Sequence, residues 1–534
     1  MTQDGTASKK GRERREQKRY AINVSGKIFH RPALRSSDNM MRVTDISRSG
    51  AKIETMRPLA PGDWVTLRIP QFKAVQRRPN SYIKVRAKVL HEAYASDGEL
   101  GGFTYGVQFA RDSKGLFRFA MSRILPWAAT MAIIAIAILV GFFKTENIKF
   151  FWYHPFFNTY GILVSAYILS RFILAVFYRP PEHTPGYEPT VTAMVVCKNE
   201  EKAIYKTIQG IFQANYPLEK MQVISVNDGS TDGTLAEMER AKADHPSLEV
   251  IHFEINRGKR HGMAAGARKA KGDILVYVDS DSFIQPDAIR ELVTAFADPE
   301  IGGVCGHANV DNARTNLLTK MQEVRYFVAF RVVKAAESVF SAVTCCSGCL
   351  AAYRRTYLLE FLDEWLAQTF LGCEATFGDD RSLTNKMLRN WKVIYNSRAT
   401  CTTIVPEDWK VFFRQQLRWK KSWIRESLLA TKFMWKRHPL VGFFFYFGVI
   451  FPLLSPVVVA NALIIPVLHG QWFSLQYVLG TTVMATLFGL VYFARYRTRI
   501  WVYGIWFSFF YMFVLVWQTY YALLTVRKNH WGTR

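Results

Sequence analysis

Met221-Gln222-Val223-Ile224-Ser225-Val226-Asn227-Asp228-Gly229-Ser230-Thr231-Asp232-Gly233-Thr234 passes in one step from a short apolar run to a polar loop rich in aspartate. The run reads as a buried strand and the loop as its delivery at the carboxyl end. The same unit occurs twice more. Val191 to Val196 is a strand that runs into Lys198-Asn199-Glu200-Glu201 and a helix to about Asn215, and Ile274 to Val278 is a strand that delivers Asp279-Ser280-Asp281. Strand-then-loop units separated by helices imply an α/β domain with a parallel sheet and ligands at the strands' carboxyl ends.

A D-x-D pair after a buried strand can offer carboxylates to a divalent ion that also bridges diphosphate oxygens. Alone such a pair is weak, because aspartates also cap helices. Further on, Gly378-Asp379-Asp380-Arg381 places two carboxylates at a turn, and Gln415-Gln416-Leu417-Arg418-Trp419 follows in a basic, aromatic helix. A carboxylate can deprotonate an acceptor hydroxyl, an arginine can hold a departing diphosphate, and a tryptophan can present a flat face to a sugar ring. The ordered set Asp228, Asp279/Asp281, Asp379/Asp380 is specific where each member alone is not.

The chain has 534 residues and a formal charge of +26, with room for about three domains at ~150 residues each. Apolar stretches run from Trp127 to Phe143, Phe156 to Phe177, Leu440 to Leu468, about Tyr477 to Phe493, and Ile500 to about Val526. Each approaches or meets the ~20 residues a helix needs to span a bilayer. Five membrane segments are expected. One of them is expected to be re-entrant or interfacial, and Pro452, Pro456 and Pro466 mark where a helix could break. Lysines and arginines crowd the ends facing the two flanking domains, which places both domains in the cytoplasm and explains much of the basic charge. Glu407 to Arg437 interleaves tryptophans and phenylalanines with basic residues, as an amphipathic helix on the bilayer does. The apolar segments that follow argue against nucleic acid as its partner. The seven cysteines include Cys346 and Cys349 at C-x-x-C spacing, but no second pair accompanies them, so reduced thiols are expected rather than zinc.

Residues 1–19 form a basic tail, and from Tyr20 to about residue 115 short alternating runs broken by turn formers read as a small β-barrel. Arg15 and Arg19 precede it, and Asp45-Ile46-Ser47-Arg48-Ser49-Gly50 lies between two of its strands. An arginine pair plus a D-x-S-x-x-G turn resembles the PilZ domain, a receptor for cyclic di-GMP. The resemblance implies a cyclic di-GMP site at Arg15, Arg19, Asp45, Ser47 and Gly50, with the nucleotide as allosteric activator. Guanidiniums one helical turn apart suit phosphates and guanine faces.

Residues 190–534 resemble processive, membrane-embedded family 2 glycosyltransferases, above all hyaluronan synthases and chitin or nodulation chitooligosaccharide synthases. The likeness rests on the aspartate set, Asn256-Arg257-Gly258-Lys259-Arg260-His261, Ser347-Gly348-Cys349, Gln368-Thr369-Phe370-Leu371-Gly372 and the terminal Trp531-Gly532-Thr533-Arg534. Cys349 stands where the related enzymes often carry proline. The resemblance implies a multidomain membrane protein: a PilZ-like barrel (20–115), two transmembrane helices (123–178), a GT-A domain (188–405), interfacial helices (406–437), further transmembrane segments (438–526) and a C-terminal segment (527–534). It also implies roles. Asp380 is the general base, with Asp379 the alternative. Asp228, Lys259, Arg260, Asp279, Gln415 and Arg418 bind the donor nucleotide, Trp419 the acceptor sugar, and Asp281 chiefly Mg²⁺ or Mn²⁺.

The expected activity is an inverting β-transfer from a UDP-sugar, either N-acetylhexosamine or hexose or uronate, into an exopolysaccharide carried across a bacterial inner membrane. Its partners are the donor, the growing polysaccharide, membrane lipids and export proteins. Cellulose- or alginate-type synthesis with another donor, a non-processive lipid-linked transferase and a catalytically dead cyclic di-GMP receptor are the alternatives. The Gln415-x-x-Arg418-Trp419 motif argues against the second, and the complete aspartate set against the third.

Overall fold

A computed structural model describes residues 20–30, 40–46, 50–55, 59–70, 82–93, 103–109, 155–184, 186–470 and 475–527, together with three isolated helical positions between 131 and 138. The chain divides into two compact units, Met1–Trp127 and Ala128–Arg534. Arg15, Arg19, Ser47, the 127–143 segment apart from those three positions, and the 528–534 terminus lie outside the described residues.

In the first unit, β1 (Tyr20–His30), β2 (Met40–Ile46), β3 (Gly50–Thr55), β4 (Trp64–Pro70), β5 (Tyr82–Ala93) and β6 (Phe103–Phe109) close into a barrel of order β1-β2-β3-β6-β5-β4. Closure removes the unpaired edges that a six-stranded sheet would otherwise expose. Val65 and Leu67, Ala87 and Val89, and Tyr105 and Val107 fill its interior at alternate positions, which is the period of two read from the sequence. Asp45 lies late in β2 opposite Lys52, and Gly50 opens β3 opposite Gln108.

In the second unit an eight-stranded sheet has the order β11-β16-β12-β13-β10-β7-β8-β9. Its strands are β7 (Val191–Cys197), β8 (Met221–Asp228), β9 (Leu248–Phe253), β10 (Ile274–Asp279), β11 (Ser282–Ile284), β12 (Ile301–Val310), β13 (Ala351–Arg354) and β16 (Lys392–Thr403). β14 (Thr369–Phe370) and β15 (Cys373–Glu374) form a separate hairpin. Every residue of β7 is buried, as expected of a strand covered on both faces. The chain lays β8 and β9 on one side of β7 and returns with β10 on the other. That reversal opens a crevice at the strands' carboxyl ends, where Asp228 and Asp279 emerge. The sheet is not wholly parallel as expected: β13 runs against both β10 and β12, and β11 against β16. The two reversed strands are short and carry no pattern that distinguishes their direction.

Among the described residues three helices are long and apolar enough to cross a membrane: α1 (Pro155–Phe177), the Pro439–Leu468 stretch and Tyr477–Tyr496. Pro452 and Pro456 sit inside a continuous helix, and irregularity there is confined to a π-helical turn at Ala460–Ile464. The break falls instead in the last apolar stretch, where Arg499–Phe513 and Leu515–Leu524 meet at 48°. Val514 at that junction has left helical geometry, with φ −120°. Lys420 Nζ donates to the carbonyl of Leu515 beside it, which supplies a partner at a helix break that would otherwise leave carbonyls unmet.

Candidate active site

The crevice continues into one cavity of about 710 Å³. Its sheet end is bordered by Asp228, Lys259, Asp279, Asp281 and Asp380, and its far end by Pro452, Tyr511 and Thr519 of the apolar helices. Asp228 is almost fully buried, and its carboxylate accepts the backbone N–H groups of Arg257 (2.7 Å) and Gly258 (3.0 Å). It thereby fixes the turn that opens α2 (Lys259–Lys269). The first residue of that helix, Lys259, forms an ion pair with Asp279. Burial works against the charge of Lys259, but Asp279 and Asp380 outweigh it and hold the ammonium above the ordinary lysine range. Asp281 accepts from Thr403 Oγ1 at 3.3 Å.

The two aspartates at the start of α4 (Asp379–Asn390) have separate environments. Asp380 Oδ2 accepts the Gly348 N–H at 2.9 Å and borders the cavity. Burial raises its carboxyl above the usual aspartate range, Lys259 opposes that, and Asp279 adds to it. Asp379 also borders the cavity, but it is buried and bonded to Arg260 Nε at 2.8 Å. The guanidinium of Arg260 also reaches Trp365 O at 3.0 Å and Ser382 Oγ at 3.1 Å. Arg260, expected at the nucleotide, is 3% exposed and bridges α2 and α4, with its donors bonded inside the protein. Arg260→Met leaves a buried carboxylate unpaired, a change that costs roughly 3–5 kcal/mol. Thermal unfolding of the purified variant checks this; an unchanged midpoint contradicts it.

Gly378, ahead of the pair, has φ +81°, and a Cβ there would lie 1.9 Å from Ser422 Oγ. Only glycine permits both the left-handed turn and that close approach of α5 (Trp409–Met434). On α5, residues Val411, Arg414, Gln415, Arg418 and Ser422 recur at three- and four-residue steps and border the cavity. Gln416, Trp419, Lys420 and Trp423 lie on an adjoining face of the helix and border the cavity as well. Trp419 stacks under the Arg325 guanidinium, 5.2 Å from its ring centre.

A second network was not expected from the sequence. Arg425 pairs with Glu426 at 2.8 Å and donates to Phe377 O. Glu426 in turn holds Gln368 at 2.9 Å, and its backbone carbonyl accepts from Asn385 at 2.9 Å. It ties the Gln368–Gly378 stretch and α4 to α5. Its one sequence signal is an adjacent Arg-Glu on a helix face that is otherwise apolar or small. All seven cysteines are free. Cys349 borders the cavity, and burial together with Asp279 and Asp281 pushes its thiol up to about 12, which disfavours the thiolate form.

Carboxylates, a lysine and an arginine-bearing helix surround a crevice at strand ends that opens toward the apolar helices. Residues 189–422 match the family described as Glycosyltransferase like family 2, and residues 13–120 match the PilZ domain. The hyaluronan synthase of Streptococcus pyogenes serotype M3 is 30% identical over 379 residues, 70% of this chain and 90% of that protein. The N-acetylglucosaminyltransferase of Rhizobium meliloti is 34% identical over 296 residues, 54% of this chain and 69% of that protein. The mannosyltransferase PcManGT of Pyrobaculum calidifontis, solved with GDP-Man and Mn²⁺, overlays with a TM-score of 0.47 at 24% identity, covering 66% of this chain and 98% of that one. The chain belongs to the family 2 glycosyltransferases. It is a glycosyltransferase of GT-A-like α/β fold carrying an N-terminal PilZ domain.

Proposed function

We propose that this protein is a cyclic di-GMP-regulated, processive, inverting β-glycosyltransferase that polymerises a UDP-sugar and passes the chain through its own membrane segments. The observation that carries this reading is the continuity of one cavity, about 710 Å³, from the aspartates at the strand ends to Pro452, Tyr511 and Thr519. A transferase adding one sugar to a carrier has no need of that path.

Asp380 acts as the base. It accepts the proton of the acceptor hydroxyl as that oxygen attacks the anomeric carbon, and the Gly348 N–H holds the carboxylate in place. Its raised pKa brings it closer to working pH and strengthens it as a base, and transfer falls as pH drops through that raised value. Lys259 keeps Asp279 oriented, and Gln415 and Arg418 face the diphosphate. The donor set fits Mg²⁺ or Mn²⁺: Asp281, with one oxygen of Asp279, offers hard carboxylate ligands. Among the described residues no group of three or more His, Cys, Asp or Glu gathers that could hold an ion by itself, so an ion held by these aspartates would need further ligands from the donor's phosphates and water. Such an ion, when bound, neutralises charge on the departing diphosphate.

The 48° bend of the last helix pair supports a membrane layout with four crossings, namely 127–143, α1, Pro439–Leu468 and Tyr477–Tyr496. The bent pair then stays on the catalytic side, and residues 527–534 end in the cytoplasm, in a bacterial inner membrane. Arg15 and Arg19 hold cyclic di-GMP together with Asp45, Ser47 and Gly50. Purified enzyme in lipid discs is to be assayed for UDP release from UDP-N-acetylglucosamine, UDP-glucuronate and UDP-glucose, with and without cyclic di-GMP. Stimulation is expected in the native protein and is abolished by Arg15→Ala with Arg19→Ala. Unchanged nucleotide dependence in that double variant contradicts the regulatory reading.

A further inference from the structure

Asp228, Asp279, Asp281 and Asp380 border the cavity at its sheet end, whereas Arg325 of α3 (Leu317–Val328) and Lys420 of α5 border it beside the last apolar helices. Arg325 Nη1 donates to Gln416 Oε1 at 2.5 Å and stacks on Trp419 and Phe507. Lys420 donates to Leu515 O and, at 3.1 Å, to Thr519 Oγ1, with the ring of Tyr511 5.1 Å away. Every one of these partners is neutral. Among the described residues neither cation has a carboxylate within ion-pair reach. Glu337, which borders the same cavity, accepts from both the N–H and the hydroxyl of Thr344 at 3.0 Å.

Two like charges this close, drawn out of water and without a counter-ion, destabilise the protein that holds them. The strain registers on both. Burial, with Arg325 beside it, lowers Lys420 to about 7, and burial lowers Arg325 from the usual arginine value. A structural role would be served by one neutral donor. A paired cationic site beside an aromatic ring is what recognition of a carboxylate on a sugar requires.

We propose that Arg325 and Lys420 form an anionic subsite for the nascent chain, and that the polymer carries a carboxylate sugar in its repeat. This inference rests on the polymerase reading above. The same chemistry would hold a lipid phosphate, but the pair borders the cavity that contains Asp281 and Asp380, which favours the product chain.

The test measures binding to purified enzyme of three β-linked hexasaccharides: one alternating N-acetylglucosamine with glucuronate, the same compound with its carboxyls methyl-esterified, and the neutral N-acetylglucosamine hexamer. The acidic compound is expected to bind at least about tenfold tighter than its ester. Arg325→Gln and Lys420→Gln each remove most of that preference, and Arg325→Lys and Lys420→Arg retain it if charge is what matters. Equal binding of acid and ester overturns the proposal. So does an equal loss of affinity for all three compounds in the glutamine variants, which indicates a structural role. Loss of activation by phosphatidylglycerol vesicles with carboxylate preference intact assigns the pair to lipid and also overturns it. Carboxylate preference in an enzyme that adds only single sugars would sink the polymerase reading and leave the subsite standing, so the two failures are distinguishable.

Discussion

Asp380→Asn lowers sugar transfer by about 10²–10⁴-fold while UDP-sugar binding stays near the native level. The amide keeps the shape of the carboxylate and can still accept the Gly348 N–H, but it cannot take a proton from the acceptor. Asp380 adjoins Lys259 and Asp279 without carrying the diphosphate, so the donor's own contacts survive. Single-turnover transfer and equilibrium UDP-sugar binding, measured on the same preparation, separate the two effects. Polymer at near-native rate would move the base elsewhere, and Asp379 is poorly placed to inherit the role. Its carboxylate is 5% exposed and held by Arg260.

Gly348→Ala is expected to rank next, although it deletes no functional group. A Cβ on Gly348 would lie 2.8 Å from Asp380 Oδ1 and 2.9 Å from both oxygens of Asp279. Neither carboxylate can ignore a methyl group at that range, and both are fixed, Asp279 by Lys259 and Asp380 by the backbone of residue 348 itself. The base and the donor-side aspartate must therefore shift by some tenths of an ångström in opposite directions. Misplacement on the scale of 1 Å near reacting atoms costs about 10²-fold in rate. The readout is turnover together with unfolding temperature: the rate should collapse while stability changes little. Native turnover in a folded Gly348→Ala protein would mean that the two carboxylates do not converge on this backbone during catalysis.

Much of this site was legible because carboxylates at strand ends carry their position with them. Asp228 and Asp279 each follow an apolar run by a residue or less, and the alternation of strands with helices brings such ends to one edge. Arg260 was not legible. It follows Lys259 on the same helix, and successive helical residues point about 100° apart, so one reaches the crevice while its neighbour enters the α2–α4 interface. The sequence shows two adjacent basic residues and cannot say which way each turns. The bend at Val514 lacked a signal as well. Met512, Phe513, Val514 and Leu515 include neither proline nor glycine, and the distortion is matched by Lys420 from ninety-odd residues earlier. The prolines that did look like breakers are absorbed by a continuous helix. The barrel was readable throughout its described strands, since alternation of period two survives without knowledge of partners.

The measurement that tests the central claim most directly is the length of the first products. Purified enzyme in molar excess over any primer, supplied with cyclic di-GMP, a divalent ion and its donor sugars, is sampled while most donor remains unused. A processive enzyme that keeps its chain in the cavity yields high-mass polymer at the earliest time points, with few intermediates. A ladder whose members lengthen together, one sugar at a time, would contradict the account.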